Sequence, residues 1–216
     1  GWELEIPEFY VIYGYDDGGG ETAAGYYLKG PGCEKGKGPK PWQKLGDTGI
    51  GVVELYSIRP GQAADDVTTV KQALTFALDH AANPKEWIFD GYRAGQGGFD
   101  NWIAALQAGK ASNMGTRYNT GVWLECRKYA VGFLEEAQTR LAGRADALLD
   151  EALDAYRIVA EGLGQVAELY PWLQEASDEN LLPVDDRSRA AIKALEATKA
   201  AETAGLEALA KIVQTL

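Results

Sequence analysis

The sequence predicts an α+β protein in which a small antiparallel β-sheet comes first and a mainly helical part follows. Short aromatic and β-branched runs, separated by turns rich in glycine and proline, mark the beginning of the chain of 216 residues. Long stretches with apolar residues at steps of three and four fill its second half. Strands first and helices afterwards is typical of the α+β class. We therefore predict a β-rich part with some helices at residues 1–112 and a helical extension packed on it at residues 113–216.

Four segments of the first part are predicted to form strands. Residues 2–6 alternate apolar and acidic side chains, which is typical of a strand with one buried and one solvated face. Residues 9–13 are a continuous aromatic and β-branched run, which favours a strand buried on both faces. Residues 26–28 would return after a Gly-rich turn, and residues 50–58 would form the last strand. Residues 29–49, rich in glycine and proline, are predicted to be a loop pinned by Trp42.

The clearest helix is predicted over residues 118–141, where apolar side chains recur at steps of three and four. These side chains are Tyr118, Val122, Cys126, Tyr129, Phe133, Ala137 and Leu141. We expect this stripe to be buried, with Cys126 as an inert packing residue. Further helices are predicted from about residue 146 to 170, from about 187 to 214, and after a cap at Asp65 or Asp66. Gly95, Gly97 and Gly98 are predicted to form a flexible bend.

Composition and charge narrow the classes of partner. The formal net charge is −11 and no basic stripe is present, so nucleic acid and anionic membranes are poor partners. No run approaches the roughly 18 apolar residues of a membrane span, and no signal peptide is visible, so we predict a cytoplasmic protein. The chain begins at Gly1 and its only methionine is Met114, which suggests processing, trimming or an absent upstream part.

The run Glu-Phe-Tyr-Val-Ile-Tyr-Gly-Tyr-Asp at residues 8–16 resembles the histidine-bearing strand of papain-like cysteine peptidases that process bacteriocin leaders. It is also similar to the N-terminal domain of the butirosin-type acyltransferase. The resemblance covers residues 2–58 and implies that the sheet is half of a papain-like fold. In that family a histidine leads into Gly-Tyr-Asp, a second strand ends in Asp-Pro, and the nucleophilic cysteine lies upstream. The helical part resembles the C-terminal extension of some such proteins.

The catalytic positions of that family are not matched. Glu8 stands where the family has its base, Gly30 and Pro31 stand where it has Asp-Pro, and the chain begins after the nucleophile. A Cys–His mechanism needs a thiolate, a base and a group that orients the base. We therefore predict no catalytic residue and a non-catalytic protein or fragment that binds a small molecule or peptide. Two alternatives stay open: a thiol-dependent hydrolase or acyltransferase whose nucleophile is Cys33 or lies upstream, and a structural helical adaptor.

Aromatic and polar residues near the turns and the glycine-rich bend are the candidate binding residues. Small-molecule pockets combine aromatic walls with a few polar groups, whereas a core with hydrogen-bonded tyrosines and tryptophans would give a similar pattern. The candidates are Glu8, Tyr13, Tyr15, Asp16, Trp42, Arg93, Asp100, Trp102, Tyr118, Asn119 and Trp123.

The sequence contains few metal ligands and one predicted strand whose apolar side needs to be covered. One histidine, His80, and two scattered cysteines give no zinc-ligand spacing, so neither metal nor cofactor is predicted. An upstream fragment or a second copy is expected to cover the apolar side of the strand between Trp2 and Ile6.

Overall fold

A computed structural model describes residues 1–20, 23–47, 51–172 and 180–216 of the chain. Within these ranges, a three-stranded antiparallel sheet is followed by six α-helices, which confirms the predicted α+β class. The chain divides into two compact units, Gly1–Gln62 and Ala63–Leu216. The strands lie in the first unit and the helices in the second. None of the described helices has the length and apolar character needed to cross a membrane.

The first unit contains the sheet, whose strands follow one another in chain order. The strands are β1 (Val11–Asp16), β2 (Gly25–Lys29) and β3 (Lys37–Pro41). Each pairs antiparallel with its neighbour, and β2 lies in the middle. Leu4, Tyr10 and Leu28 are buried together and form the core of the unit. The predicted strand at residues 26–28 is confirmed as part of β2.

The predicted strand at residues 2–6 is wrong, because the backbone turns where the pattern requires an extended chain. Trp2 forms isolated bridges to Phe9 and Glu54, and Glu3 has a positive φ of 54°. Glu3 points inward and is wholly buried, and its carboxylate accepts a hydrogen bond from the Val52 N–H at 3.2 Å. Leu4 is also wholly buried within this unit. The uncovered apolar strand face that led us to expect a partner at Trp2 to Ile6 is therefore not formed.

Two further strand predictions and one loop prediction differ from the structure. Ile50 lies outside the described residues, and residues 51–58 form no strand beyond the single bridge at Glu54. The aromatic run is not buried on both faces, because Val11, Tyr13 and Tyr15 of β1 are more than half exposed. The predicted loop at residues 29–49 contains β3 despite its prolines. A strand that pairs on one side only can accept proline, because the missing N–H can fall on its unpaired side.

The second unit contains the helices, and their long periodic segments were predicted correctly. They are α1 (Asp66–Ala82), α2 (Pro84–Trp87), α3 (Gly95–Gln107), α4 (Asn113–Leu141), α5 (Asp146–Leu169) and α6 (Asp186–Thr215). Asp65 caps α1 by accepting the Thr68 N–H at 3.0 Å, which confirms the predicted cap. The glycines predicted to form a bend are the first turn of α3 instead. Gly98 is buried there against the Trp123 ring, which would lie 2.9 Å from a Cβ at this position.

The helices pack around two clusters of buried side chains. One cluster joins α3, α5 and α6 through residues such as Phe99, Leu163 and Leu195. The other joins α1, α4, α5 and α6 through residues such as Leu74 and Leu134. Helices α1 and α3, which the predicted division after residue 112 placed with the strands, both pack on α6.

Candidate functional site: a groove in the helical unit

The second unit contains a groove of ≈ 570 Å³. It is lined by α1, α4 and α6, by Tyr156 of α5, and by Arg93, Ala94 and Gly95 at the beginning of α3. Its apolar lining includes Leu74, Phe76, Ala77, Val122, Trp123, Ala130, Phe133, Leu134, Leu206 and Leu209. Pockets for small molecules usually enclose roughly 300–1,000 Å³ and are mostly apolar with a few placed polar groups. The groove has the size and the lining of such a pocket.

One wall of the groove comes from the part of α4 that the sequence analysis placed in the core. Val122 is 40% exposed and Tyr129 is 74% exposed, and Cys126 is exposed as well. The predicted buried stripe is therefore wrong in the first part of the helix, although Ala137 and Leu141 near its end are buried. Val122 and Cys126 line the groove. Cys126 is an accessible thiol and not the inert packing residue that we predicted.

The buried side of the first part of α4 is polar. Arg117 and Thr120 are buried, and each has a hydrogen-bond partner close by. Arg117 donates from Nε to Asn113 Oδ1 at 2.8 Å and from Nη1 to the carbonyl of Pro171. Thr120 donates from Oγ1 to the Thr116 carbonyl at 2.6 Å. Because these polar groups are satisfied locally, they can occupy the interior while the apolar stripe lines the groove or faces solvent.

An ion pair between α4 and α6 forms the charged part of the groove lining. Arg127 donates to Glu202 through Nε and Nη2, at 2.8 Å each, in a two-pronged arrangement. The Glu202 side chain is 7% exposed and the Arg127 side chain is 25% exposed. Burial alone would lower the pKa of Arg127, but the hydrogen bonds and the charge of Glu202 raise it above its usual value. The buried carboxylate is therefore fully compensated by its partner.

Tyr156 lines the groove beside this pair with an unsatisfied hydroxyl. The residue is only 5% exposed, and its ring lies against Gly205, where a Cβ would be 2.8 Å from Cε2. Its hydroxyl forms no hydrogen bond within the described part of the chain, yet it is not sealed from solvent. Burial, reinforced by the charge of Glu202, raises the pKa of Tyr156. The hydroxyl therefore stays protonated at neutral pH and can donate a hydrogen bond to a molecule in the groove.

Phe76, His80 and Arg93 line the groove. Phe76 meets Trp87 edge-on with ring centroids 4.9 Å apart, and His80 stacks on Trp87 at 5.8 Å. Asp79 accepts the Trp87 indole N–H at 3.2 Å, which holds this ring in place. Arg93 is exposed, donates to the Tyr92 carbonyl at 3.2 Å and forms no ion pair with any described residue. Arg93 therefore adds to the lining a positive charge that no ion pair with a described residue offsets.

The groove brings together two of the predicted binding residues, Arg93 and Trp123. Trp102 touches Trp123 edge-on at 5.9 Å but is buried in the core. Asp100 is exposed and pairs with Lys199. Tyr118 and Asn119 are exposed on α4 and are not among the residues that line the groove.

The remaining candidates lie in the first unit. Those with exposed side chains are Glu8, Tyr13, Tyr15 and Trp42. Asp16 accepts the Gly18 N–H at 2.9 Å and stabilises the turn after β1. Cys33 is half-buried against the small core of that unit. No described group of three or more histidine, cysteine or acidic side chains is placed to hold a metal ion.

The sequence analysis missed Tyr156 and Glu202, which supply much of the polar character of the groove. A signal for Glu202 exists, because one face of α6 is small and apolar at steps of three and four except at this position. That face consists of Leu195, Thr198, Glu202, Gly205 and Leu209. An acid within such a stripe indicates a buried charge with a partner on a neighbouring helix.

Comparison with known proteins adds nothing to this geometry: no family model matches the chain, and no match was found among curated proteins or solved structures.

Proposed function

We propose that the protein is non-catalytic and that its helical unit binds a small molecule in the groove. The observation that carries the proposal is the buried Tyr156 side chain, whose hydroxyl forms no hydrogen bond with any described residue and lies in an apolar groove of ≈ 570 Å³. A hydroxyl that reaches solvent inside an apolar groove is free to donate a hydrogen bond to a molecule bound there. A bound molecule would supply the missing hydrogen bond.

The non-catalytic part of the proposal is supported by the residues of the first unit. The run that resembles papain-like peptidases includes β1, with Gly14, Tyr15 and Asp16 at its end. The antiparallel pairing of β1 with β2 is compatible with a papain-like relationship. Glu8 and Gly30, at the positions of the base and its orienting residue, supply neither group. A cytoplasmic location belongs to the same proposal, since Cys33 and Cys126 are both free thiols, as is usual in a reducing compartment.

The chain offers a built-in reporter of groove occupancy, because one of its two thiols lines the groove. In the Cys33→Ser variant, Cys126 is the single reactive thiol. Its alkylation by iodoacetamide, an uncharged reagent, can be followed with and without decanol, an uncharged apolar probe. With free decanol at ten times its dissociation constant, the reaction should slow about tenfold. The matched control is Cys126→Ser, in which only Cys33 reacts and decanol should leave the rate unchanged.

Two results would contradict groove binding. Alkylation of Cys126 that is not slowed when decanol binding is saturated would place the probe elsewhere. Equal slowing at Cys33 and Cys126 would indicate an effect of decanol on the reagent or on the whole protein.

A further inference from the structure

We infer that the natural ligand of the groove is an amphipathic anion, with an apolar body and one oxyanion head such as a carboxylate or phosphate. The inference rests on the proposed function and specifies the chemical class of its ligand. It is carried by the charges and the free hydrogen-bond donors of the groove together.

The charges of the residues that line the groove favour an anionic ligand. The charged residues of the described lining are Arg93, Arg127 and Glu202, and its other titratable residues are His80, Cys126 and Tyr156. Glu202 is compensated by the two hydrogen bonds from Arg127, so the charge left over is that of Arg93. Asp79 is not in the lining; its carboxylate keeps its charge and accepts hydrogen bonds from the neutral donors of Asn83 and Trp87. The described lining residues therefore carry an excess of one positive charge, in a chain whose formal net charge is −11.

The unused polar groups of the groove lining are mainly hydrogen-bond donors. The Tyr156 hydroxyl has no partner, and Nη1 of Arg127 forms no hydrogen bond in the described part of the chain. Arg93 uses Nη1 on the Tyr92 carbonyl and has further N–H groups free. A guanidinium can only donate, and a carboxylate or phosphate can only accept when fully ionised. Hydrogen bonds between such charged partners are about twice as strong as neutral ones.

The apolar part of the lining favours a ligand whose body carries no further charge. Ala77 and Leu74 of α1, Val122 and Phe133 of α4, and Leu206 of α6 offer only hydrocarbon to a ligand. Covering such surface is favourable in proportion to the apolar area removed from water. A cationic ligand would meet Arg93 and would find Glu202, the carboxylate among the described lining residues, already paired. A neutral ligand would leave the free donors of Arg93 and Arg127 without an anionic partner.

The test compares four probes that share a ten-carbon chain and differ in the head: decanoate, decyl phosphate, decanol and decyltrimethylammonium. Their dissociation constants for the full chain are measured by calorimetry below the micelle concentrations. We expect decanoate, decyl phosphate or both to bind at least about tenfold more tightly than the cationic probe. Whichever of the two anions binds more tightly identifies the head as carboxylate or phosphate.

Two variants locate the head. Arg93→Gln should weaken the anionic probes about fivefold, and Tyr156→Phe about tenfold; decanol, whose hydroxyl is a neutral hydrogen-bond acceptor, should lose less affinity than the anions in both variants. Neither side chain has an ion pair in the described structure, so both variants should retain the fold, which the helical circular dichroism signal verifies. The matched control is Arg144→Gln, which removes an equal charge from an exposed position outside the groove lining.

Each outcome decides between the inference and the proposed function. If all four probes bind equally and protect Cys126, the groove is a binding site but the anionic head is refuted. Tighter binding of the cation, or an effect of Arg144→Gln equal to that of Arg93→Gln, refutes it as well. If no probe protects Cys126, the proposed function and the inference are both refuted.

Discussion

Tyr156 combines a buried ring with a hydroxyl that has no hydrogen-bond partner among the described residues and is open to a ligand or to water. The absence of a side chain at Gly205 gives the ring its space, and the Arg127–Glu202 pair lies close enough to influence its ionisation. The ring packs in the core, and the hydroxyl is available to a ligand. Removing the hydroxyl should therefore affect binding far more than folding at neutral pH.

Tyr156→Phe tests this division through the pH dependence of stability. At pH 7 the free energy of unfolding should change by less than about 0.5 kcal/mol, because the hydroxyl forms no hydrogen bond with any described residue. Above about pH 10 the unfolded chain releases the tyrosine proton, whereas burial raises the folded-state pKa of Tyr156 and keeps the proton in place. The contribution of Tyr156 to the free energy of unfolding of the wild-type protein is fully present below that pH. Above it, this contribution falls by about 1.4 kcal/mol per pH unit, until the folded-state pKa is reached.

Urea unfolding of both proteins between pH 7 and pH 11 measures the effect. The other tyrosines are common to both, so the difference curve isolates Tyr156. We expect the phenylalanine variant to become the more stable protein as the pH rises above about 10. Parallel pH dependences would show that the hydroxyl is not held in its neutral form by burial.

Single residues also show how far the sequence predicts the site. Arg93 and Trp123 were among the candidates because aromatic walls with a few polar groups are typical of small-molecule pockets. Tyr156 was predicted to lie in a helix, and nothing in the sequence reveals that its hydroxyl would lack a partner among the described residues. Arg127 lies in the helix predicted over residues 118–141, but its partner Glu202 lies 75 residues away in the chain. Local periodicity does not specify such long-range pairs.

Helices α5 and α6 pack closely against each other, and a glycine permits this contact. A Cβ on Gly162 would lie 2.1 Å from Thr198 Oγ1. Thr198 is wholly buried, and Oγ1 donates to the Ala194 carbonyl at 2.8 Å, so the side chain has little freedom to move away. Gly164, two residues further along α5, has open space at the same position.

This pair of glycines gives a matched test of helix packing. Gly162→Ala should lower the free energy of unfolding by about 1–3 kcal/mol, because the added methyl forces α5 and α6 apart. Gly164→Ala should raise it by about 0.5–1 kcal/mol, because alanine favours the helix and meets no neighbour. Thermal unfolding followed by circular dichroism measures both. Equal shifts in the same direction would mean that the close contact at Gly162 does not limit the packing.

Elements were predictable to the extent that their signals are local. The long helices α4, α5 and α6 follow from many turns of apolar periodicity with caps or glycines at their ends. Periodicity identifies a stripe on α4 but does not say whether the stripe meets a core or a groove, so Val122 and Cys126 were assigned wrongly. The short strands depend on their partners, which is why residues 2–6 failed as a strand and β3 was missed.

For the whole molecule, buried side chains form separate clusters within each compact unit. The two helical clusters consist of residues from Ala63–Leu216, and the third consists of residues from Gly1–Gln62. Every residue that lines the groove belongs to the helical unit. Ligand binding should therefore slow hydrogen exchange in the helices. Exchange in the sheet, which contains the run that resembles papain-like peptidases, should not change.

Hydrogen exchange of the full chain, with and without the tightest of the four ten-carbon probes, tests this central claim most directly. Exchange should slow in segments from α1, α4 and α6 that line the groove, at residues 73–81, 122–134 and 202–209, because the bound state must open before these amides exchange. Strands β1 to β3 should exchange at unchanged rates. Slower exchange confined to residues 11–41, with no change in the groove segments, would contradict the account.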